Sequence, residues 1–241
     1  MQGNNFNYSE IKGYIFDYGG TLDTAGRHWG KVLWAAYREH GVPVTEERFR
    51  EAYVHGERTL GRNPIVKPDF TFHKTLDVKL RIEMEHLMAS GWWNATEEEY
   101  NQAHDHVLAT LYDGVKRQTA HSLSVLTELR KHYPMVLVSN FYGNVGVVLQ
   151  EFGLDKLFSH IVESAVVGVR KPDSKIFTLG VEALGMKPAE TVVVGDSFYK
   201  DIVPASIAGC HTVWFKGEGW TDEEYDETIP DRVITDLEQL L

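Results

Sequence analysis

IKGYIFDYGGTLD, residues 11–23, decides the fold: an apolar run from Ile11 to Phe16 ends on a carboxylate, Asp17, and then breaks into Tyr18-Gly19-Gly20-Thr21. A short apolar run that stops at a glycine-rich turn reads as a buried strand. In open α/β sheets the ligand crevice lies outside the carboxyl ends of the strands, so Asp17 is placed where chemistry is done. Gly19 and Gly20 let the backbone come close to whatever sits there.

Working outward, the period changes after the turn. From Ala25 to about Gln118 there are four helical segments and no convincing strand. Trp29 to His40 is closed by Gly41 and Pro43; Thr45 caps a second helix to about Leu60; a third runs from Thr71 to Ser90; and Thr96 with Glu99 forms a capping box for a fourth, to about Tyr112. Four helices joined by short connections bury their apolar stripes against one another. Trp92-Trp93 is read as part of that core. From Thr119 onward helices alternate with short apolar runs: a helix at about 121–132, strands at 135–139, 158–162, 191–194, 211–215 and 232–234, and helices at 144–152, 173–184 and 199–208, with a short final helix. Strands alternating with helices predict a mainly parallel sheet covered on both faces. The expected fold is a three-layer, Rossmann-like α/β core formed by residues 1–23 and 119–241, with an all-helical cap domain, residues 24–118, inserted after the first strand. The acidic runs 96–99 and 221–227 are expected to be solvated helix starts.

Composition narrows the partners. The 241 residues carry a formal net charge of −11, which disfavours the nucleic-acid backbone as a partner. Cys210 is the only cysteine, so an intrachain disulfide and CxxC metal sites are excluded. No apolar run approaches the ~20 residues that span a bilayer, and no export signal precedes the first strand. A cytoplasmic protein without a membrane partner is expected, as monomer or homodimer. If the ligand is anionic, a cation must reverse the overall field.

Three more polar signals follow apolar runs as Asp17 does: Ser139-Asn140 after Met135–Val138, Lys171-Pro172 after Val166–Val169, and Asp196 and Asp201 after Val192–Val194. Together, Asp17-x-x-Gly20-Thr21, Ser139-Asn140, Lys171-Pro172 and Gly195-Asp196-Ser197-x-x-x-Asp201 resemble the four motifs of the haloacid dehalogenase superfamily, in the phosphatase-like branch whose helical cap lies between the first two motifs. The resemblance implies a Mg²⁺ ion held by Asp17, the Gly19 carbonyl and Asp196, with Asp201 acting through water or orienting the others. It implies Asp17, Lys171 and Ser139 as catalytic residues, with Asp17 attacking phosphorus to form an aspartyl phosphate. Gly19, Gly20, Thr21, Ser139, Asn140 and Lys171 would then hold the phosphate of a small phosphorylated substrate.

One position departs from that pattern. Phosphatases of the family carry a second aspartate two residues after the nucleophile, as general acid and base; here the residue is Gly19. Such a group is worth ~10²–10⁴ in rate. His28 and Tyr142 are the candidates to replace it or to contact substrate, with Arg27, Trp29, Lys31, His55 and His73 as further cap candidates. The alternatives are a 2-haloacid dehalogenase, whose leaving group needs no proton, and a phospho-ligand-binding protein that does not turn over. Asp196 and Asp201 favour the metal-dependent phosphate chemistry.

Overall fold

The structure is a computed structural model and describes residues 8–221 and 223–241. Its centre is β1 (Gly13–Phe16), four residues buried on both faces. The chain then runs through α1 (Trp29–Glu39), α2 (Glu46–Arg62), α3 (Phe72–Ala89) and α4 (Glu97–Leu129) before reaching β2 (Met135–Ser139). There follow α5 (Val145–Glu151), β3 (His160–Glu163), α6 (Ser164–Val167), α7 (Lys175–Leu184), β4 (Thr191–Gly195), α8 (Val203–Ile207), β5 (His211–Phe215) and β6 (Arg232–Ile234). The six strands form one parallel sheet in the order β3-β2-β1-β4-β5-β6. The strand order turns back at β1, and the register pairs Phe16 with both Leu137 and Val194. The carboxyl ends of β1, β2 and β4 therefore open onto one crevice, where ligands of such sheets bind.

Both faces of the sheet are covered. Tyr14 and Phe16 face one way, into a core shared with Leu22, Leu33, Phe49, Leu80, Leu111 and Val125. Ile15, Val136, Val138 and Val193 face the other, against Ile176, Phe177 and Val181 of α7. Gly180 lets α7 approach closely: a Cβ there would lie 2.8 Å from a Val138 methyl and 2.9 Å from Ile15.

The helical insert follows its sequence signals at the starts. Thr45, Thr71 and Thr96 accept the N–H groups of Arg48, Lys74 and Glu99, and Glu99 completes its capping box. Trp93 is buried against Tyr100, as expected of a core residue. Hydrogen bonds fasten the insert over the crevice: Asn144 donates to the Phe70 carbonyl at 2.8 Å, and the Glu151 carboxylate accepts the Phe72 and His73 N–H groups at the start of α3. Within the core, Ser122 of α4 donates to the Leu22 carbonyl at 2.8 Å. The Glu151 carboxylate at the start of α3 also complements the helix dipole.

Four expectations are corrected. The expected fourth helix and the helix at 121–132 are one continuous 33-residue α4; its inward positions Val107, Leu111, Val115, Thr119, Ser122, Leu126 and Leu129 keep helical spacing straight through Gly114. An interior glycine costs only about 1 kcal/mol, which packing on both sides overrides. The apolar run Val166–Val169 begins in a single helical turn, Ser164–Val167, with Val166 exposed, and Lys171 arrives on a loop. The helix expected at 199–208 starts as a π-turn, Phe198–Ile202, before α8. The described part of 221–227 is irregular, and the expected final helix is a 3₁₀ turn, Leu237–Leu240. No helix among the described residues is long and apolar enough to cross a membrane.

The insert buries a carboxyl that lacks an ionic partner at hydrogen-bond distance. Glu83 of α3 is fully buried and takes only a long hydrogen bond, 3.4 Å, from the Tyr37 hydroxyl, while its Oε1 has no partner. Gly56 makes room for it, since a Cβ there would press on the Glu83 chain at 2.9 Å. Burial pushes the carboxyl up to about 8, against the pull of Lys79 and with the push of Glu57. A raised carboxyl pKa means the folded state holds a proton that the unfolded chain has released. The stability of that arrangement is therefore complete below the unfolded pKa and drains away as pH rises toward 8. Glu83→Gln, which keeps the shape and cannot ionise, is expected to gain on the wild type between about pH 5 and 8, by on the order of 2–4 kcal/mol. Paired thermal melts across that range check it; a stability difference that does not change with pH contradicts a neutral buried acid.

Candidate functional site

Asp17 follows β1 directly, and its N–H donates to the Val194 carbonyl at 3.0 Å, which ties the carboxylate to the end of β4. Its Oδ1 lies 2.6 Å from the Lys171 ammonium, which lies 2.6 Å from Asp201 Oδ1 on its other side. Thr21 Oγ1 accepts the Asp196 N–H at 3.0 Å and lies 3.0 Å from Asp196 Oδ1 and 3.3 Å from Asp17 Oδ2, so its one proton is shared between two acceptors. Asp17, Asp196 and Asp201 each present a carboxylate oxygen within 4.8 Å of the others'. Five residues from three distant segments thus meet in one network.

Backbone geometry makes that convergence possible. At Gly20, with φ +100°, an added Cβ would strike the Asp196 carboxyl, and at Gly195 it would strike that of Asp201. These two glycines are the space the carboxylates occupy. The π-turn lets Asp201 Oδ2 accept the Ser197 N–H at 3.0 Å, and the Trp214 indole N–H donates to the Asp196 carbonyl at 2.8 Å. Lys171, on its loop, is held by Asn140, whose side chain donates to the Lys171 carbonyl at 3.1 Å and accepts its N–H at 2.9 Å.

The electrostatics are unbalanced. Burial raises the Asp17 carboxyl to about 6 although Lys171 pulls it down, and Asp201 adds to the rise. Asp196 is pushed well up by burial and by the Asp201 and Asp17 charges. Burial alone would depress the Lys171 ammonium; Asp17 and Asp201 more than reverse that. Three carboxylates share one ammonium. The donor set is all oxygen and short of positive charge, which fits a hard divalent cation held by carboxylates.

The cluster floors a cavity of about 190 Å³, also lined by Gly19, Gly20, Ser139 and Asn140 from the sheet side. The helical insert supplies the opposite wall, including His28, Trp29, Tyr53, Glu57, Phe72 and Lys79, and Tyr142 of the core also lines the cavity. His28 is turned to structure: its Nδ1 accepts the Gly30 N–H at 3.0 Å and caps α1, and its ring lies 4.9 Å from that of Trp220. Burial, helped by Lys200, lowers its pKa to about 4, so it is neutral at pH 7. The Tyr142 hydroxyl donates to Glu57 at 3.3 Å, and burial pushes its pKa far up.

The other cap candidates face elsewhere. Arg27 pairs with Glu218, Lys31 lies 3.9 Å from Glu46, His55 stacks on His86 and His73 packs on Tyr112. Polar residues on and behind the cavity wall went unread in the sequence, among them Glu57, Lys79, Arg170 and Lys200 on the wall and Asp23 behind it. Glu57 and Lys79 look like members of solvated helix faces. Asp23 lies inside the opening stretch, buried, accepting the Gly20 N–H at 2.7 Å and the Trp29 indole N–H at 3.0 Å. Burial raises its carboxyl to about 7.

A sequence profile described as haloacid dehalogenase-like hydrolase matches residues 11–209. Glyceraldehyde 3-phosphate phosphatase of Pyrococcus furiosus is 46% identical over 90 residues, 36% of this chain and 37% of that protein. Phosphoserine phosphatase of Thermus thermophilus is 36% identical over 88 residues, 36% of this chain and 34% of that protein. The matched region therefore spans about a third of each relative's length. In fold, the chain resembles the magnesium-bound HAD-hydrolase YfnB of Bacillus subtilis, with a TM-score of 0.59 at 18% identity, covering 95% and 96% of the two chains. A dehalogenase solved as an intermediate complex superposes with a TM-score of 0.62 at 17% identity, covering 96% of each chain.

The carboxylate cluster makes a direct prediction. Millimolar Mg²⁺ is expected to raise the melting temperature by several degrees through binding to the folded state. Asp196→Asn is expected to melt no lower than the wild type without metal, because it removes a crowded charge, and to lose the Mg²⁺-induced rise. An equal rise in wild type and variant shows that the ion binds elsewhere.

Proposed function

The chain belongs to the haloacid dehalogenase-like hydrolase family, and we propose that it is a Mg²⁺-dependent hydrolase of small phosphorylated compounds that works through an aspartyl phosphate on Asp17. The observation that supports this most is the cluster of Asp17, Asp196 and Asp201, with a single ammonium paired to Asp17 and Asp201. Asp17, Asp196 and the Gly19 carbonyl would hold the ion, with Asp201 behind them. When bound, Mg²⁺ supplies the positive charge that lets an anionic phosphoryl group approach these carboxylates.

The remaining steps belong to the chain's own groups. One Asp17 oxygen forms a bond to phosphorus as the bond from phosphorus to the leaving oxygen breaks, and the leaving group takes the electron pair. Water then attacks the same phosphorus, releasing inorganic phosphate and restoring the carboxylate. The Thr21 and Ser139 hydroxyls, the Gly19 backbone amide and the Lys171 ammonium would hold the equatorial oxygens, where transition-state charge is spread, while the Gly20 N–H is already given to Asp23 and shapes the turn. Asn140 positions Lys171 by gripping its backbone. Residues 24–118 act as a cap over the core of residues 1–23 and 119–241, excluding water from the closed site.

No carboxyl stands at position 19 to protonate the leaving oxygen. His28 is neutral at pH 7 and Tyr142 holds its proton too tightly, so neither replaces it well. The favoured substrates are therefore those whose leaving group departs as a stable anion, such as acyl phosphates.

Phosphate release from acetyl phosphate, p-nitrophenyl phosphate and a simple alkyl phosphate tests this, with Asp17→Asn as the control. Mg²⁺-dependent turnover lost in the variant is expected, with kcat/KM falling by ~10²–10⁴ from acyl to alkyl phosphate. A flat dependence on the leaving group contradicts the missing-acid reading. Halide release from 2-haloacids without Mg²⁺ points to a dehalogenase, and Mg²⁺-dependent binding without turnover to a binding protein.

A further inference from the structure

Opposite the carboxylates, the cavity wall carries a second charged cluster that the phosphate chemistry does not use. Lys79 of α3 pairs with Glu57 of α2, and the Tyr142 hydroxyl donates to the same carboxylate at 3.3 Å. The Lys79 side chain is 9% exposed, and its ammonium lies 4.8 Å from the centre of the Tyr53 ring and 6.0 Å from that of Trp29. Burial would neutralise either partner alone; pairing holds the Glu57 carboxyl below its usual range and the Lys79 ammonium well above its own. The Glu57 side chain keeps 39% of its surface exposed, so the cost of the pair falls on Lys79, and an apolar residue of similar size usually serves packing as well as or better than a buried ammonium. Its place on the wall of the ligand cavity gives it another use.

We infer that Glu57, Lys79 and Tyr142 form the leaving-group subsite, and that it selects short, uncharged leaving groups carrying hydroxyl or hydroxy-carbonyl oxygens: monophosphates of small polyols and hydroxy-carbonyl compounds. This rests on the phosphate reading of Asp17. Lys79 has ammonium protons left after its bond to Glu57, and Glu57 has lone pairs left after Lys79 and Tyr142. The pair thus offers a donor centre beside an acceptor centre, matching a leaving group whose neighbouring oxygens both give and take hydrogen bonds. A leaving group with a full charge would draw one partner away and strand the other. The insert also lines the cavity with Trp29, Phe72 and Leu76, which reject polar atoms placed against them. At about 190 Å³ the cavity is smaller than the ~300–1,000 Å³ that houses drug-sized ligands, which limits the leaving group to a few carbons.

Inhibition of acetyl phosphate hydrolysis separates recognition from leaving-group chemistry, because alkyl phosphates turn over slowly and act as competitors. Glycerol 3-phosphate is expected to inhibit at least ~10-fold more tightly than propyl phosphate, and phosphoethanolamine no better than propyl phosphate. In the double variant Glu57→Gln/Lys79→Met, which leaves no unpaired charge, the glycerol to propyl ratio is expected to collapse toward one. Equal inhibition by the two in the wild-type protein overturns the inference without any variant, as does a ratio unchanged in a double variant that circular dichroism shows to be folded; both leave the phosphatase reading standing. Absence of acetyl phosphate hydrolysis by the wild type overturns that reading, and the subsite with it.

Discussion

The Lys171 ammonium, wedged between Asp17 and Asp201 at 2.6 Å from each, is the contact on which the site depends. It joins residues 154 and 30 positions apart, and all three side chains are buried. Water is not there to screen the carboxylates, so the ammonium does the work of a solvent shell. It does so incompletely, because Asp196 stands beside them without a cation of its own. The fold spends packing energy elsewhere to hold this unfavourable arrangement, as functional sites commonly require. Gly20 and Gly195 are the local form of that cost: each gives up a side chain so that a carboxylate can close in.

The sheet was legible because parallel strands are buried on both faces and read as near-continuous apolar runs. Val136–Val138 and Val192–Val194 have no polar residue to confuse the pattern. The carboxyl-end residues Asp17, Ser139 and Asp196 were legible for the same reason, since each ends such a run. Lys171 was legible by its chemistry only, because the apolar run before it folds as an exposed turn and the lysine arrives on a loop. The helix α4 was cut in two for want of any local signal that one helix could serve the insert and the sheet together. Glu57 and Lys79 were missed because a helix interior shows only spacing, and their meeting depends on how α2 lies against α3.

Gly19 carries a different lesson. A Cβ there would find only the Trp29 indole nitrogen, at 4.0 Å. The position is not closed by packing, so the missing carboxyl is not a steric necessity. The indole stands beside the place where that side chain would extend, and Asp23 holds its N–H at 3.0 Å. An acid at residue 19 would add a further negative charge to a cluster already short of cations. It would also set a second carboxyl near Asp23, whose own carboxyl is already pushed up to about 7. The glycine and the Trp29–Asp23 pair thus form one consistent arrangement, in which an aromatic wall stands where proton transfer would otherwise occur.

Across the cavity the two charged clusters are complementary in kind. The floor is lopsided, three carboxylates to one ammonium, and calls for added positive charge before an anion can enter. In the wall the Glu57–Lys79 pair is neutral in itself, with Arg170 and Lys200 also on the lining, and calls for a partner that disturbs neither member of the pair. A molecule that satisfies both must be strongly anionic at one end and uncharged but polar at the other, with little length between. The burial of Asp17, Asp201, Lys171 and Lys79 sharpens this demand, since an unmatched charge beside them acts at low dielectric. Selectivity in this chain follows from that division: the core fixes where charge must be placed, and the helices above it fix where charge is not allowed.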